Sequence, residues 1–494
     1  MAEAQRIGRS LTSYDGARWP EVPWSPRGTL TEGKKGRVPP LMQDMTKGPV
    51  AGHVVRLASF IAISTAFQTL YFLADLYFVG QLGKEAVAGV SLAGTVMFLV
   101  LALTQSLGVG ATTLVAQALG RKDRDHAELA FNQSLILSSV TGLIFGVIFF
   151  SLRNAYCERL AADAATAAQG EQYLNWFIPA LFLQFLMVAM GAALRGMGDM
   201  KIPTLIQIGT LIINIVLAPT LMFGWISHHP LGVAGTAIAS LVAVAAGCIA
   251  LTLYFRRAGS PLKFRRDQWD PQPKLWWEML RIGVPAGGEF LLMSVYVMLV
   301  YDIIRPFGAA AQAGFGIGAR VMQSLFLPTV AIAFATGPVV GQNFGARLGD
   351  RVRGAFRAGA TLSSIVMVIL TILCHIAPDA LVRLFNSDPE VVAYGAEYLR
   401  VVSWNFLASG LVFVSSSVFQ GMGNTLPSLA TSALRLVLFA VPAYILSLQP
   451  GFRLVHVWQL GVFAVAVQFV VNMALLRREF RRRLNCGPLE PAPA

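Results

Sequence analysis

Charged residues are scarce in this chain of 494 residues. Asp, Glu, Lys and Arg together make up 13% of it, whereas 55% of the residues are hydrophobic. An average soluble globular domain carries about twice that share of charge. The composition therefore excludes an ordinary soluble protein and predicts one that lies in lipid.

The residue types that build disulfides, metal centres and catalytic sites are also few. The four cysteines are scattered along the chain, and the six histidines form no group with metal-ligand spacing. No nucleophile and base stand together in a recognisable arrangement. We therefore predict no metal site, no cofactor and no enzymatic activity, and we interpret the cysteines as packing residues.

What the chain has in abundance is long apolar stretches. A helix needs about 20 apolar residues to cross a bilayer, and stretches of that length recur throughout the sequence. We predict twelve transmembrane helices, six in each half of the chain. The predicted spans are 53–79, 87–117, 128–151, 172–194, 203–225, 232–255, 277–304, 310–341, 356–377, 394–419, 427–447 and 456–476.

The two halves repeat one another at a constant separation of 225 residues. Gln117 is matched by Gln342, and the Gly-Met-Gly triplet at 196–198 by a second one at 421–423. Other matched positions are Gly83 and Gly308, Gly89 and Gly314, Gly120 and Gly345, and Phe131 and Phe356. An even number of spans in each copy gives both copies the same orientation. We therefore predict an all-α polytopic membrane protein with two parallel six-helix bundles, related by a pseudo-two-fold axis along the membrane normal.

The net charge of +13 is concentrated on alternate loops between the spans. Lys and Arg gather on cytoplasmic loops of membrane proteins, so we predict that both termini are cytoplasmic, in a multi-pass protein of the cell (inner) membrane. This distribution argues for contact with anionic lipid headgroups and against nucleic acid as a partner. The predicted segments are a cytoplasmic tail at 1–50, a first lobe at 51–255, a linker at 256–276, a second lobe at 277–476 and a basic cytoplasmic tail at 477–494. The first tail is predicted to be disordered. The alternative is that the start codon is misassigned and that the protein begins at Met42 or Met45.

The acid best placed for function is Glu289, about twelve residues into the seventh predicted span. A carboxylate at a helix centre costs about 2.5–3.5 kcal/mol to insert, so its presence needs a reason. Met293 and Tyr296 share its helical face, and Pro285 loosens the helix just before it. We predict an ion- or proton-coupling site at Glu289. The alternative is a buried acid that only bonds to neighbouring hydroxyl groups.

A second candidate acid, Asp75, closes the first span. Gln68 and Tyr71 precede it by seven and four residues and lie on the same helical face, so the three could bind a cation or share a proton. Its position toward the outer end of the span also allows an acid near the interface with no special role.

Several motifs together resemble those of the multidrug and toxic compound extrusion family. They are the run from Gln68 to Gly83, Gly196-Met197-Gly198-Asp199 with Pro203, the segment from Asn214 to Pro219, residues 232–235, and the second-copy turn at 420–424. The resemblance covers residues 53 to 476. It implies a two-lobed antiporter that expels organic cations in exchange for sodium ions or protons, with Asp75 and Glu289 at recurrent coupling positions.

The chain departs from the family pattern at two places. In a proton-coupled branch, an Asp follows an Asn by four residues in the fifth span, whereas here Asn214 is followed by Ala218. A sodium-coupled branch adds an acid in the tenth span, where this chain has only Glu397 at the outer edge. The resemblance therefore implies one acid in each lobe and leaves the coupling ion open.

The predicted function is a secondary active antiporter that exports cationic drugs or toxic organic compounds and works as a monomer. Its binding residues are predicted to be Gln68, Tyr71, Asn214, Met293 and Tyr296. The alternatives are an exporter of a specific metabolite and a flippase for lipid-linked precursors. The flippase should need several basic side chains for an anionic headgroup, and only Arg320 and Arg435 lie more than seven residues from the end of a predicted span. Arg435 has no acid near it in sequence, so it needs carbonyl groups or a partner on another helix.

Overall fold

The computed structural model describes residues 43–161, 163–225, 230–257, 260 and 262–484. Within these ranges, the side chains at positions 71–76, 84–85, 92–95 and 98 are outside the description. The predicted tail at 1–50 is therefore described only from residue 43, and the basic tail only as far as residue 484.

The described residues form fourteen α-helices, which we number in chain order. They are α1 Val50–Gly80, α2 Lys84–Gly120, α3 Arg124–Leu160, α4 Ala164–Gly196, α5 Lys201–Met222, α6 Val233–Arg256, α7 Pro273–Ile304, α8 Ala309–Gly345, α9 Gly349–Ile376, α10 Pro378–Arg383, α11 Pro389–Val402, α12 Phe406–Gly421, α13 Leu426–Ser447 and α14 Leu454–Arg483. Helices α11 and α12 form one span through a 3-10 turn at Ser403–Asn405, and α10 is a short extra helix. The twelve predicted spans are confirmed. Helix α14 continues past position 477, where we predicted that the tail begins.

A helix is the natural form for these segments because lipid offers no partner for backbone N–H and C=O groups, which must then bond within the segment. Each lobe has its own aromatic core. In the first, Phe131 stacks on Phe255 with ring centroids 4.5 Å apart. In the second, Phe315 stacks on Trp458 at 5.6 Å. Large apolar side chains such as Leu143 stay exposed on the outside of the bundle, where acyl chains are as apolar as they are.

The internal repeat extends to the helix ends. Helices α2 and α8 begin and end at equivalent residues, and so do α5 and α13. The turns before and after α2 and α8 have matching backbone conformations: φ is +109° at Gly83 and +89° at Gly308, and +61° at Lys122 and +58° at Arg347. This agreement confirms two structural copies of one six-helix unit.

The first helix of each lobe crosses to the other lobe. Helix α1 packs against α8, and α7 packs against α2. The contact between α7 and α2 is close because glycine removes the side chain at Gly110, Gly283 and Gly287, where a Cβ atom would overlap the backbone or the Ser106 hydroxyl of the facing helix. Small residues at membrane-helix crossings allow this backbone approach.

Several side chains of α3 fix the described part of the linker to the first lobe, and Gln133 contributes four of the hydrogen bonds. Gln133 of α3 donates to the carbonyl groups of Gln268 and Asp270 at 2.7 and 2.8 Å. Its own oxygen accepts from the Gln272 backbone at 3.0 Å and from the Trp276 indole at 2.8 Å. All the hydrogen-bonding groups of this buried amide are thus engaged by the segment that leads into α7.

We expect substitution of the glycines where α2 meets α8 to separate the lobes. A Cβ atom at Gly120 would overlap the Gln342 carbonyl, and one at Gly345 would overlap the Gln117 carbonyl. Gly345→Ala should lower the free energy of unfolding by about 1–3 kcal/mol, because overpacking a close contact shifts the backbone. Thermal unfolding in detergent measures the effect.

Gly209→Ala is the matched control, since Gly209 has no atom within 4 Å of the new methyl group. It should leave the stability unchanged or raise it by up to about 1 kcal/mol through helix propensity. Equal effects of the two substitutions would contradict the account of a tight lobe contact.

Candidate functional site

The two lobes are joined by a reciprocal pair of hydrogen bonds at one face of the bundle. The Gln117 side chain donates to the Gly421 carbonyl at 2.9 Å, and the Gln342 side chain donates to the Gly196 carbonyl at 3.0 Å. Donors and acceptors are equivalent residues of the two copies. This face carries the Lys- and Arg-rich loops, and we call it the basic face. The lobes are therefore closed there about the pseudo-two-fold axis.

The segment before α1 adds a contact that the repeat lacks. Met45 is completely buried, and its sulfur lies 3.0 Å from where a Cβ atom of Gly198 in the first lobe would be. Its backbone N–H donates to Gln342 at 3.1 Å, and its carbonyl accepts from Asn343 at 3.1 Å and from Arg351 at 3.0 Å. One residue thus touches both lobes at their closed face.

A cavity of about 190 Å³ lies between the lobes, next to this closure. Its polar lining consists of amide and hydroxyl groups from both lobes together with one guanidinium group. The polar lining residues are Ser64, Thr65, Gln68, Gln105, Thr112, Thr113, Arg195, Thr204, Gln207, Ser417 and Gln420. No carboxylate is present among the lining residues of this interlobe cavity that the structure describes.

Arg195 supplies the charge on the interlobe cavity. It lies in the last turn of α4, and the absence of a side chain at Gly108 leaves room for its guanidinium, whose Nη2 atom would be 3.1 Å from a Cβ atom there. No acid among the described residues is paired with it. Its equivalent in the second copy is the neutral Gln420, which lines the same cavity.

A second, smaller cavity of about 60 Å³ lies within the second lobe, between α7, α12, α13 and α14. It is lined by Glu289, Phe290, Met293, Ser409, Val412, Phe413, Ser416, Ser432, Arg435 and Gln468. The Ser416 and Ser428 hydroxyl groups face the Glu289 carboxylate and bond to each other. Its Oε1 atom is buried and has no hydrogen-bond partner.

Arg435 brings a positive charge to the same second-lobe cavity. Its guanidinium carbon lies 5.0 Å from the centre of the Tyr296 ring, an arrangement that favours a cation through the ring quadrupole. The Nε atom is buried and has no hydrogen-bond partner. No ion pair joins the guanidinium to Glu289, so the two opposite charges share the cavity without closing on each other.

The first lobe has neutral residues at the equivalent positions. Ser64 corresponds to Glu289, and Thr210 corresponds to Arg435. The Ser64 hydroxyl donates to the side chain of Gln207, which faces the interlobe cavity. The acid and the cation therefore occur together in one copy, and both are missing from these positions in the other.

The structure brings some of the predicted site residues together and separates others. Glu289 and Met293 line the second-lobe cavity, with Tyr296 beneath Arg435. Gln68 lines the interlobe cavity. Asn214 is buried and donates to Ser240 at 3.0 Å, and it lines neither of the two cavities. The side chains of the two remaining predicted residues, Asp75 and Tyr71, lie outside the described residues.

Two charged residues lie in the cavities at places that the sequence alone does not indicate. Arg195 directly follows the predicted span 172–194, whereas α4 continues through it and its side chain lines the interlobe cavity. The sequence shows only that the copies differ here: an arginine precedes the first Gly-Met-Gly triplet and a glutamine precedes the second. Arg435 has no acid near it in sequence, and its charged neighbour in the structure is Glu289, which is 146 residues away in sequence and on another helix.

Two parallel six-helix lobes, closed at one face around a central cavity, define a membrane transporter. The chain belongs to the MatE family, whose sequence profile matches residues 61–220 and 285–445. It is therefore a multi-pass membrane transporter and not an enzyme.

Relatives and a solved structure support this assignment. The chain is 27% identical over 403 residues to the probable multidrug resistance protein YoeA of Bacillus subtilis, covering 81% of this chain and 87% of that protein. It is 26% identical over 384 residues to an FAD transporter of Shewanella oneidensis, covering 75% and 82%. A solved MOP superfamily transporter from Pyrococcus furiosus shares the fold with a TM-score of 0.83 at 23% identity, covering 90% of this chain and 98% of that one.

Proposed function

We propose that this protein is a secondary active antiporter of the cell membrane that exports small organic cations in exchange for protons or sodium ions, with Glu289 as an ion-coupling residue. The observation that carries the proposal is the buried Oε1 atom of Glu289, which has no partner inside a cavity. A buried carboxylate oxygen without a partner is costly, and a bound proton or cation would satisfy it. The multidrug resistance role in the name of the Bacillus relative supports the same class of substrate.

The charge of the two faces supports an orientation in the membrane. Basic loops are cytoplasmic in most membrane proteins, so the closed basic face would be the cytoplasmic one and both termini would be inside. The interlobe cavity would then open to the outside in the present conformation. Export also requires a conformation that is open at the basic face, in which the hydrogen bonds of Gln117 and Gln342 between the lobes are broken.

Coupling requires that proton or ion binding at Glu289 changes the contact between the two lobes at the basic face. Helix α12 offers a direct route, because Ser416 faces the Glu289 carboxylate and Gly421, five residues further on, accepts the hydrogen bond from Gln117. Between them, Ser417 donates to the Ala333 carbonyl of α8. If ion and substrate each favour a different arrangement of α12, binding of one drives release of the other.

Asp75 stays a proposed second acid, in the first lobe. The position equivalent to Glu289 is Ser64, and Asp75 lies eleven residues further along α1, about 16 Å by helical rise. The two lobes would therefore hold their acids at different depths.

We expect Glu289→Gln to reduce exchange strongly, because the amide keeps the size of the side chain but cannot ionise. In proteoliposomes loaded with ethidium, efflux driven by a pH or sodium gradient should fall by about tenfold or more. Asp302→Asn on the same helix is the control, since Asp302 lines neither cavity. Full ethidium exchange by Glu289→Gln would contradict the assignment of the coupling residue.

A second candidate function is export of a metabolite with an anionic group. Arg195 favours it, because it is the charged side chain on the described lining of the interlobe cavity and no acid is paired with it. The related FAD transporter supports the same class. A guanidinium group binds carboxylate and phosphate with charge-assisted hydrogen bonds.

Carboxyfluorescein serves as the anionic probe for this candidate. Arg195→Gln copies the residue of the second lobe and should reduce carboxyfluorescein exchange by about tenfold or more, since a hydrogen bond to a charged group contributes about 1.5–3 kcal/mol. Arg195→Lys retains the charge and should retain part of the exchange. Equal losses of carboxyfluorescein and ethidium exchange in Arg195→Gln would reject the anionic substrate and indicate a structural role.

A further inference from the structure

We infer that Arg435 is a built-in cation of the second-lobe cavity, and that it restricts the Glu289 site to protons by excluding sodium. The inference rests on the proposed function, in which Glu289 couples ion movement to export, and it names the ion. It concerns a residue that neither contacts the interlobe cavity nor forms part of the lobe closure.

The internal repeat is the first argument that Arg435 and Glu289 act as a pair. The two copies share helix boundaries and turn conformations, so equivalent positions occupy equivalent places. The copy that has the acid has the arginine, and the copy with Ser64 at the acid position has Thr210 at the arginine position. A buried charge is costly without an opposite one nearby, and each member of the pair accounts for the presence of the other.

The composition of the cavity is the second argument. Hard cations such as sodium are held by a shell of several oxygen ligands. The second-lobe cavity offers one carboxylate, the hydroxyl groups of Ser409, Ser416 and Ser432, and one amide. Arg435 occupies part of this space with a group that has five N–H donors and no acceptor. It therefore adds no ligand, and its fixed charge repels a second cation.

A proton differs from a sodium ion in the ligands that it needs from the cavity. It would add the same charge to the cavity as a sodium ion, but it forms a covalent O–H bond to a single oxygen and needs no ligand shell. The buried Oε1 atom of Glu289 is that oxygen. The groups facing the carboxyl are Ser416 from α12, Ser428 and Arg435 from α13, and Met293 on its own helix. Arg435 is the charged group among them.

The test asks whether removal of Arg435 creates a sodium response. Wild type and Arg435→Gln are unfolded by heat in sodium chloride and in choline chloride of equal ionic strength. The wild type should unfold at the same temperature in both salts. Arg435→Gln should unfold at a temperature about 2 °C or more higher in sodium chloride, because an ion that binds only the folded state raises its stability. In proteoliposomes, the same variant should also exchange ethidium against a sodium gradient.

Three further variants separate charge from structure. Arg435→Lys keeps the built-in cation and should remain insensitive to sodium. Arg320→Gln removes an exposed arginine of α8 and should behave as the wild type does. The double variant Glu289→Gln with Arg435→Gln lacks the carboxylate and should lose the sodium response of Arg435→Gln.

The inference is overturned if the wild type shows a sodium response that Glu289→Gln removes, a measurement that needs no arginine variant to fold. It is also overturned if Arg435→Gln folds and stays insensitive to sodium. Neither result affects the proposed function, which fails separately if Glu289→Gln exchanges ethidium normally under a pH gradient.

Discussion

The close approach of α2 and α8 at the pseudo-two-fold axis is the constraint on which the rest of the structure depends. At this crossing Gly341 lies against Ala116, its equivalent in the other copy, with 2.9 Å between the alanine methyl and an ideal Cβ atom on the glycine. The reciprocal hydrogen bonds of Gln117 and Gln342 form just beyond it. Because the lobes touch here through backbone and amide groups, they close at the basic face and leave a cavity between them.

The charged residues of the two cavities lie where the two copies differ. The backbone repeats with high fidelity, yet Glu289 and Arg435 replace two neutral residues, and Arg195 replaces a glutamine. Each difference puts charge into one of the two cavities. In the mechanism that we propose, the symmetric backbone allows both lobes to move alike, and the asymmetric charges select the ions and substrates linked to that movement.

The architecture was predictable because it follows from short-range patterns. Apolar length gave twelve spans, and the constant spacing of residues such as Gln117 and Gln342 predicted two parallel copies. The partner of Arg435 could not be predicted, since helices α7 and α13 are far apart in sequence and only packing brings Glu289 beside it. The place of Arg195 on the interlobe cavity could not be predicted because charge marks the ends of apolar runs, whereas α4 extends two residues past the predicted span.

The central claim is that the state of Glu289 controls the closure at the basic face. Asp125 and Asp350 are equivalent, exposed residues in the first turns of α3 and α9. Spin labels at cysteines placed there, with the native cysteines replaced by serine, report the separation of the lobes by double electron–electron resonance at acidic and alkaline pH. We predict a distance distribution that changes with pH in the wild type and becomes independent of pH in Glu289→Gln. An unchanged pH response in Glu289→Gln would contradict the account.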